Sequence, residues 1–423
     1  MTTRLKQTKK QFQQGGVIMK GTERPVFGNL QNLKVINAAS VIAGPFICGL
    51  FAEQGADVIQ LESVRADDMF RNFGDAWSVE RRNQRTISLN IPTPEGKEVL
   101  LRMVKWADVL VESSKGGTWQ KWGITDDLLW EANPALVIVH VSGFGQTGDP
   151  NYISRGSFDS IGQAFSGFMS INGMPEPNPP YVTKPFTGDF ITGLFGAWAT
   201  LAAVIRARET GKGDSIDVAQ YEAMARLQGN YLSDGINKGI QYPRMGNLDV
   251  IGACNGTERC KDGWVFIAVG GAGPVRNLIN LLGFQDDPDF EGPIQTIDRQ
   301  HPERAEKFVK ALEEFCAERT VDEVDQIMGE LKVPCSKIMT YQMMLEHPHY
   351  QARETITEWH DEITDRNIKG INMIPRFKNN PGQIFRGGPK YGADNEDVMR
   401  EFGYTEKEIK QFYEKGVMKP PKE

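Results

Sequence analysis

Several residue types are scarce in this chain, and each scarcity removes a class of function. Histidine occurs five times in 423 residues, with none between His140 and His301, which leaves little material for a zinc site or a histidine general base. The five cysteines, Cys48, Cys254, Cys260, Cys316 and Cys335, are odd in number and form no CxxC pair. Free thiols in a reducing cytoplasm are therefore expected. Lys and Arg number 48 against 55 Asp and Glu, a net charge of -7, so there is no broad basic surface for nucleic acid. Any anionic ligand has to be met by a local basic cluster. The longest apolar run, 190–205, is too short for a bilayer span and leads into Arg206, Arg208 and Glu209, so it reads as a buried helix and no membrane partner is expected. Arg4, Lys6, Lys9 and Lys10 precede no apolar stretch of signal-peptide length, which argues against export. Neither an internal repeat nor a low-complexity tract is present.

What remains is an ordinary globular composition, 40% hydrophobic and 24% charged. The length exceeds what one hydrophobic core holds, which predicts two domains. Residues 1–19 read as a disordered polar tail. Within it, Gln14-Gly15-Gly16-Val17 can be encoded by a purine-rich run resembling a ribosome-binding site, which makes Met19 a candidate translation start.

Strand-like 33–38, helix-like 45–54 with Pro45 in its first turn, and strand-like 56–62 compose a βαβ unit. The pattern repeats as helix 94–105 into strand 107–111, and helix 128–133 into strand 135–141. Buried strands alternating with helices predict a mainly parallel sheet covered on both faces. Then follow a helix over 157–171, a Pro-rich turn at 175–180, a long apolar helix over 189–208, a strand at 214–219 and a helical stretch at 221–234. The Gly- and Asn-containing segment 246–256 marks a boundary or mobile loop. Beyond it lie a hairpin around Lys261-Asp262-Gly263, helices at 303–318 and 321–331, short strands within 357–377 and a helical tail at 395–415. The first βα turn, Ala43-Gly44-Pro45-Phe46-Ile47-Cys48-Gly49, lacks GxGxxG, and Pro45 removes an amide that a pyrophosphate would use. A nicotinamide dehydrogenase is disfavoured on that ground.

The stretch Ile42-Ala43-Gly44-Pro45-Phe46 through Ala52-Glu53-Gln54-Gly55-Ala56-Asp57-Val58-Ile59 and Glu62 resembles the opening of the class III CoA-transferases, the formyl-CoA, carnitine and bile-acid CoA-transferase family. The likeness continues through Ser88-Leu89-Asn90, Ala107-Asp108-Val109, Asn133-Pro134, Ser142-Gly143-Phe144-Gly145-Gln146 and Thr210-Gly211-Lys212-Gly213-Asp214. It resumes at Asn379-Asn380-Pro381-Gly382 and so covers about 27–417. Its specificity lies in the order and spacing of these motifs together. The resemblance implies an α/β fold: a Rossmann-like large domain with a parallel sheet, built from 20–225 and 345–423, and a smaller α+β domain over 226–344. It further implies an interlocked ring homodimer, coenzyme A as co-substrate, and acyl-CoA and free carboxylic acids as partners, without metal or ATP.

In this family the nucleophile is an aspartate at the start of a helix, and Lys184-Pro185-Phe186-Thr187-Gly188-Asp189-Phe190 supplies the matching Asp189. The local chemistry agrees, because a first-turn carboxylate is favoured by free amides and the helix dipole and starts from a pKa of about 3.9. An ionised Asp189 could attack a thioester directly and pass CoA through an aspartyl-CoA thioester. The plainer role is a helix cap. Gly188 and Gly193 are expected to leave room for the thioester.

Three phosphates on CoA call for Arg, Lys and backbone amides. Arg81-Arg82-Asn83-Gln84-Arg85 before one strand and Ser113-Ser114-Lys115-Gly116-Gly117 after another are the candidates, with Arg82, Asn83, Arg85 and Lys115 as contacts. By resemblance Lys115 stands where carnitine-type enzymes contact CoA. A second basic position of theirs aligns with Trp122, for which Lys121 can substitute. Segments 246–256 and 269–273 are candidate covers over the intermediate. An α-methylacyl-CoA racemase shares the fold, but its histidine position falls near Phe158, and His140 reads as a satisfied buried histidine. For the acid, carnitine, crotonobetaine and γ-butyrobetaine types are the first expectation, on 377–384. Bile-acid or 2-hydroxy-acid transfer is the alternative, the bile-acid type resting on 139–142 and 145–150.

Overall fold

The computed structural model describes residues 24–248, 252–253 and 255–421, so the expected tail, Met19 and Cys254 lie outside the described residues. The chain divides into two compact units. The first comprises 24–166, 184–227 and 354–421; the second comprises 167–183 and 228–353 with the exceptions just given.

The first unit is built on six parallel strands: β1 (Lys34–Ala38), β2 (Asp57–Glu62), β3 (Arg85–Ser88), β4 (Val109–Glu112), β5 (Val137–Ser142) and β6 (Ser215–Ala219), in the order β3-β2-β1-β4-β5-β6. Their Val- and Ile-rich runs alternate between two cores. Val35, Val58, Val109 and Val137 face one side, while Ile36, Ile59, Leu110 and Ile138, each the next residue along, face the other. This is the period-two geometry of a strand, applied to a sheet covered on both faces.

Five helices complete the frame around the site: α1 (Ala43–Glu53), α2 (Pro94–Val104), α3 (Asp159–Phe165), α4 (Thr187–Thr210) and α5 (Gln220–Arg226). Helix α2 starts on Thr93, whose hydroxyl accepts from the Gly96 amide, with Pro94 in the first turn. The C-terminal helices Asn395–Glu401 and Glu406–Glu414 return to the same unit, burying Val398, Met399, Ile409 and Phe412 in the core shared with α2. Helices α1 and α4 pack closely because two glycines of α4 carry no side chain. A Cβ at Gly196 would lie 2.4 Å from Ile47 Cδ1, and one at Gly193 2.9 Å from the Ala43 carbonyl oxygen.

Two expectations change here. The apolar run 190–205 forms the middle of α4, yet only part of it is buried. Ala197, Val204 and Ala207 face the sheet, whereas Trp198 is 71% exposed and Leu194, Phe195 and Ile205 share its open side. The helix expected over 157–171 stops at Phe165, where Gly167 turns with a positive φ of 81°, and 167–183 fall with the second unit.

The second unit carries an antiparallel sheet of Asn255–Arg259, Trp264–Ala268 and Cys335–Lys337, with helices Pro302–Ala317 and Val321–Glu330. Val265, Ile267, Phe308, Leu312 and Val324 form its core. A reciprocal capping box between Thr320 and Glu323 starts the last of these helices.

Candidate active site

In an open parallel sheet the loops leaving the carboxyl ends of the strands form the ligand crevice. A cavity of about 890 Å³ lies there in the first unit, lined by Val41 beyond β1, Lys115 beyond β4, Gly143 beyond β5, Gln220 beyond β6, and Asp189. A second cavity of about 400 Å³ extends beyond β2 and β3, lined by Ser63 and Asn90. The two share Ser40, Val41, Met69, Ser114 and Trp122, so together they make one elongated cleft. Val41 takes a φ of 67°, which is strained for a β-branched residue. Asp68 holds it there by accepting from its amide at 3.1 Å, and Arg81 by donating to its carbonyl at 2.6 Å.

Asp189 occupies the first turn of α4 and is 8% exposed. Its Oδ1 accepts from Gln220 Nε2 at 2.5 Å, and no described residue donates to its Oδ2. The helix-start amides do not reach its carboxylate. Asp159 Oδ1 accepts both of them, from Gly188 at 2.6 Å and from Asp189 itself at 3.1 Å, while Asp159 Oδ2 accepts from Gln163 Nε2 at 2.7 Å. The expectation of a dipole-stabilised, fully ionised aspartate is therefore corrected. Burial first, and then the neighbouring Asp159 charge, push the Asp189 carboxyl up to about 7 against the pull of the Gln220 bond. Both its protonated and its ionised form are therefore accessible near neutral pH. The glycine expectation changes too. Gly193 faces Phe46 of α1, and Gly188 packs over Asp159, so neither opens a path for a thioester.

Lys115 and Lys121 line the same cavity as Asp189. Both are exposed, and neither forms an ion pair with a described residue. The other three expected contacts lie elsewhere. Arg82 is buried in an ion pair with Glu53 at 2.6 Å and donates to the Ile371 carbonyl. Arg85 pairs with Asp57 at 2.9 Å and with Glu401. Asn83, at a φ of 64°, donates to the Gln383 carbonyl and accepts from the Phe385 amide. None of the three lines either cavity. The physical reason is the direction of the sheet: this cluster precedes β3 and so sits at the amino edge of the strands, opposite the crevice. Its charges tie α1 and the helix Asn395–Glu401 to the amino ends of the strands.

His140, in β5, is buried between two acids, with Nδ1 2.8 Å from Glu112 and Nε2 3.1 Å from Asp126. Burial opposes its charge, but the bonds to Asp126 and Glu112 outweigh it and push the imidazole up to about 9. Glu112 in turn accepts from the Ser114 amide at 2.6 Å, so the loop carrying Lys115 rests on the buried Glu112–His140 pair. Phe158, near the racemase histidine position, borders the cavity with an exposed ring.

Sequence reasoning missed Gln220 and Asp159. Both carried a signal, since Gln220 immediately follows the strand-like run 214–219, at the edge where ligands sit, and Asp159 falls in the first turn of the helix expected over 157–171.

Fold and site define an α/β protein with a buried carboxylate, Asp189, lining a cleft at the carboxyl ends of a parallel sheet. The sequence pattern of CoA-transferase family III matches residues 30–395, and the chain belongs to that family. It is an enzyme of the CoA-transferase class, with coenzyme A as co-substrate and acyl-CoA and carboxylates as substrates. It is 42% identical over 407 residues to the bile acid CoA-transferase BaiK of Clostridium scindens, spanning 94% of this chain and 92% of that protein. The solved CAIB/BAIF family protein from Brucella suis superimposes with a TM-score of 0.76 at 27% identity, over 89% of this chain and all of that one. Rv3272 from Mycobacterium tuberculosis, at 22% identity and a TM-score of 0.74 over 88% and 99% of the chains, shares the fold.

Proposed function

We propose that this enzyme exchanges CoA between an acyl-CoA and a free bile-acid-type carboxylic acid by ping-pong covalent catalysis at Asp189. The observation that carries the proposal is the Asp189 carboxylate, buried at the cavity wall with one oxygen bonded and the other uncommitted. Oδ2 attacks the acyl-CoA carbonyl, the C–S bond breaks, and a mixed anhydride forms with the CoA thiolate as leaving group. The thiolate then attacks Asp189 Cγ, expelling the donor carboxylate and leaving an aspartyl-CoA thioester. An acceptor carboxylate reverses the two steps. Bonds of similar energy are exchanged, so neither ATP nor a metal is needed for the balance.

Lys115 and Lys121, exposed on the cavity that Asp189 lines, are suited to CoA phosphates. The similarity to BaiK moves the preferred acid from the carnitine type to the bile-acid type. The lining agrees, because Val41, Ile42, Met69 and Phe158 offer an apolar wall to a large hydrophobic acyl group. The open side of α4, with Leu194, Phe195, Trp198 and Ile205, suits burial against a second copy, which supports an obligate homodimer. Cys48, Cys260, Cys316 and Cys335 as free thiols fit a cytoplasmic enzyme.

The test is a matrix of CoA donors against acids. Steroid carboxylic acids should accept CoA at least about tenfold faster, in kcat/KM, than quaternary-ammonium acids, on the order of 1.4 kcal/mol. Preference for the ammonium acids would reverse the substrate assignment, and absence of transfer from every donor would remove the whole proposal.

A further inference from the structure

We propose that Gln220 is a catalytic residue: its amide holds Asp189 Oδ1 as the oxygen that becomes the carbonyl, and stabilises the charge on it whenever Cγ is attacked. The inference rests on the covalent path proposed above and adds a division of labour between the two oxygens of Asp189.

Three features place Gln220 in this role. It is the first residue of α5, immediately after the carboxyl end of β6, and at 4% exposure its side chain is fixed. Its Nε2 donates to Oδ1, since an ionised carboxylate only accepts, and its Oε1 lies 3.4 Å from Ser157 Oγ. The slot it occupies exists because position 162 is glycine; a Cβ there would lie 2.6 Å from Gln220 Cγ and Oε1. The alternative donors at the helix start are already spent on Asp159. Gln220 is thus the side chain that donates to the aspartate carboxylate.

The consequence is asymmetric. In the first step Oδ2 attacks the acyl carbon, and the developing oxyanion belongs to the substrate, away from Gln220. In the second step the thiolate sulfur bonds to Cγ and the carbonyl π pair moves onto Oδ1. Gln220 stabilises that oxyanion until the pair returns and the donor carboxylate leaves with the C–O electrons. A preorganised donor at a developing oxyanion acts most strongly in a dry site. Attack by the acceptor acid on the thioester places charge on the same oxygen.

Gln220→Met keeps the length and removes the donor; Gln220→Leu removes the donor without adding charge and is the second variant should the first not fold. The probe is an acyl-CoA labelled in both the acyl and CoA parts, rapid-quenched with wild type and variants. Wild type should retain CoA label on the protein. In either variant, transfer should fall by about 100- to 1,000-fold with the KM for acyl-CoA little changed, and acyl label should accumulate on Asp189 in place of CoA label. CoA label appearing at the wild-type rate, or parallel loss of both labels, would overturn the role of Gln220 while leaving the covalent path intact. Absence of either label on an active wild type would instead overturn the path itself.

Discussion

The two edges of the central sheet treat the cations expected to meet CoA in opposite ways. At the amino edge, Arg82 and Arg85 are buried and each is matched to a carboxylate within 2.9 Å. At the carboxyl edge, Lys115 and Lys121 have no carboxylate partner among the described residues, and Asp189 sits beside a second acid with one oxygen unbonded. The proposed chemistry lies at the second edge. What distinguishes a reactive edge is incomplete pairing, because a matched buried ion pair has no free valence to offer a ligand and is expensive to open.

Experiments that break this contrast should do so with very different sizes of effect. Asp189→Ala removes the proposed attacking group and should lower transfer on the order of 10⁴-fold or more, with acyl-CoA binding retained, as steady-state rates and ligand titration would show. Arg82→Ala strands Glu53 inside the amino edge and should cost about 3–5 kcal/mol of stability in denaturant unfolding. The KM for acyl-CoA of the folded fraction should not move, and a large rise would restore Arg82 as a ligand contact. Lys115→Ala should raise that KM about tenfold, roughly 1.4 kcal/mol, with kcat nearly constant.

Titration of Asp189 gives a further separation. Attack needs the ionised form, so kcat/KM should fall as pH drops through about 7, in a limb absent from the substrate's own titration. Stability runs the other way. With its folded pKa raised from 3.8 to about 7, the stability associated with this group is fully present below 3.8 and is lost as pH rises through about 7. Asp189→Asn escapes that loss, so its melting temperature should exceed wild type by a few °C at pH 8 and converge with it near pH 4. Lys121→Ala, which removes an exposed side chain, should have the smallest effect, about twofold in KM.

Much of this architecture is legible from the residues because it depends on local pattern. The runs 33–38, 56–62 and 135–141 are apolar enough to be read as buried strands, and 94–105 reads as a helix; β1, β2, β5 and α2 are found there. The family motifs point to Asp189 and Lys115. What could not be read depends on three-dimensional placement. The partners of Arg82 and Arg85 include atoms of residues 371 and 401, almost three hundred positions or more away. The raised pKa of Asp189 comes from burial and from Asp159, thirty residues earlier in sequence. The open face of α4 looked like core, because apolar composition alone does not say which side of a helix meets the sheet.

The covalent role of Asp189 is tested most directly by mass analysis of the peptide containing it, after brief incubation of the enzyme with acyl-CoA and acid quench. The peptide should carry CoA as a thioester that borohydride reduces and that disappears on adding acceptor acid, and Asp189→Ala should show neither adduct nor turnover. Turnover in that variant, or an active wild type whose Asp189 peptide never gains CoA, would contradict it.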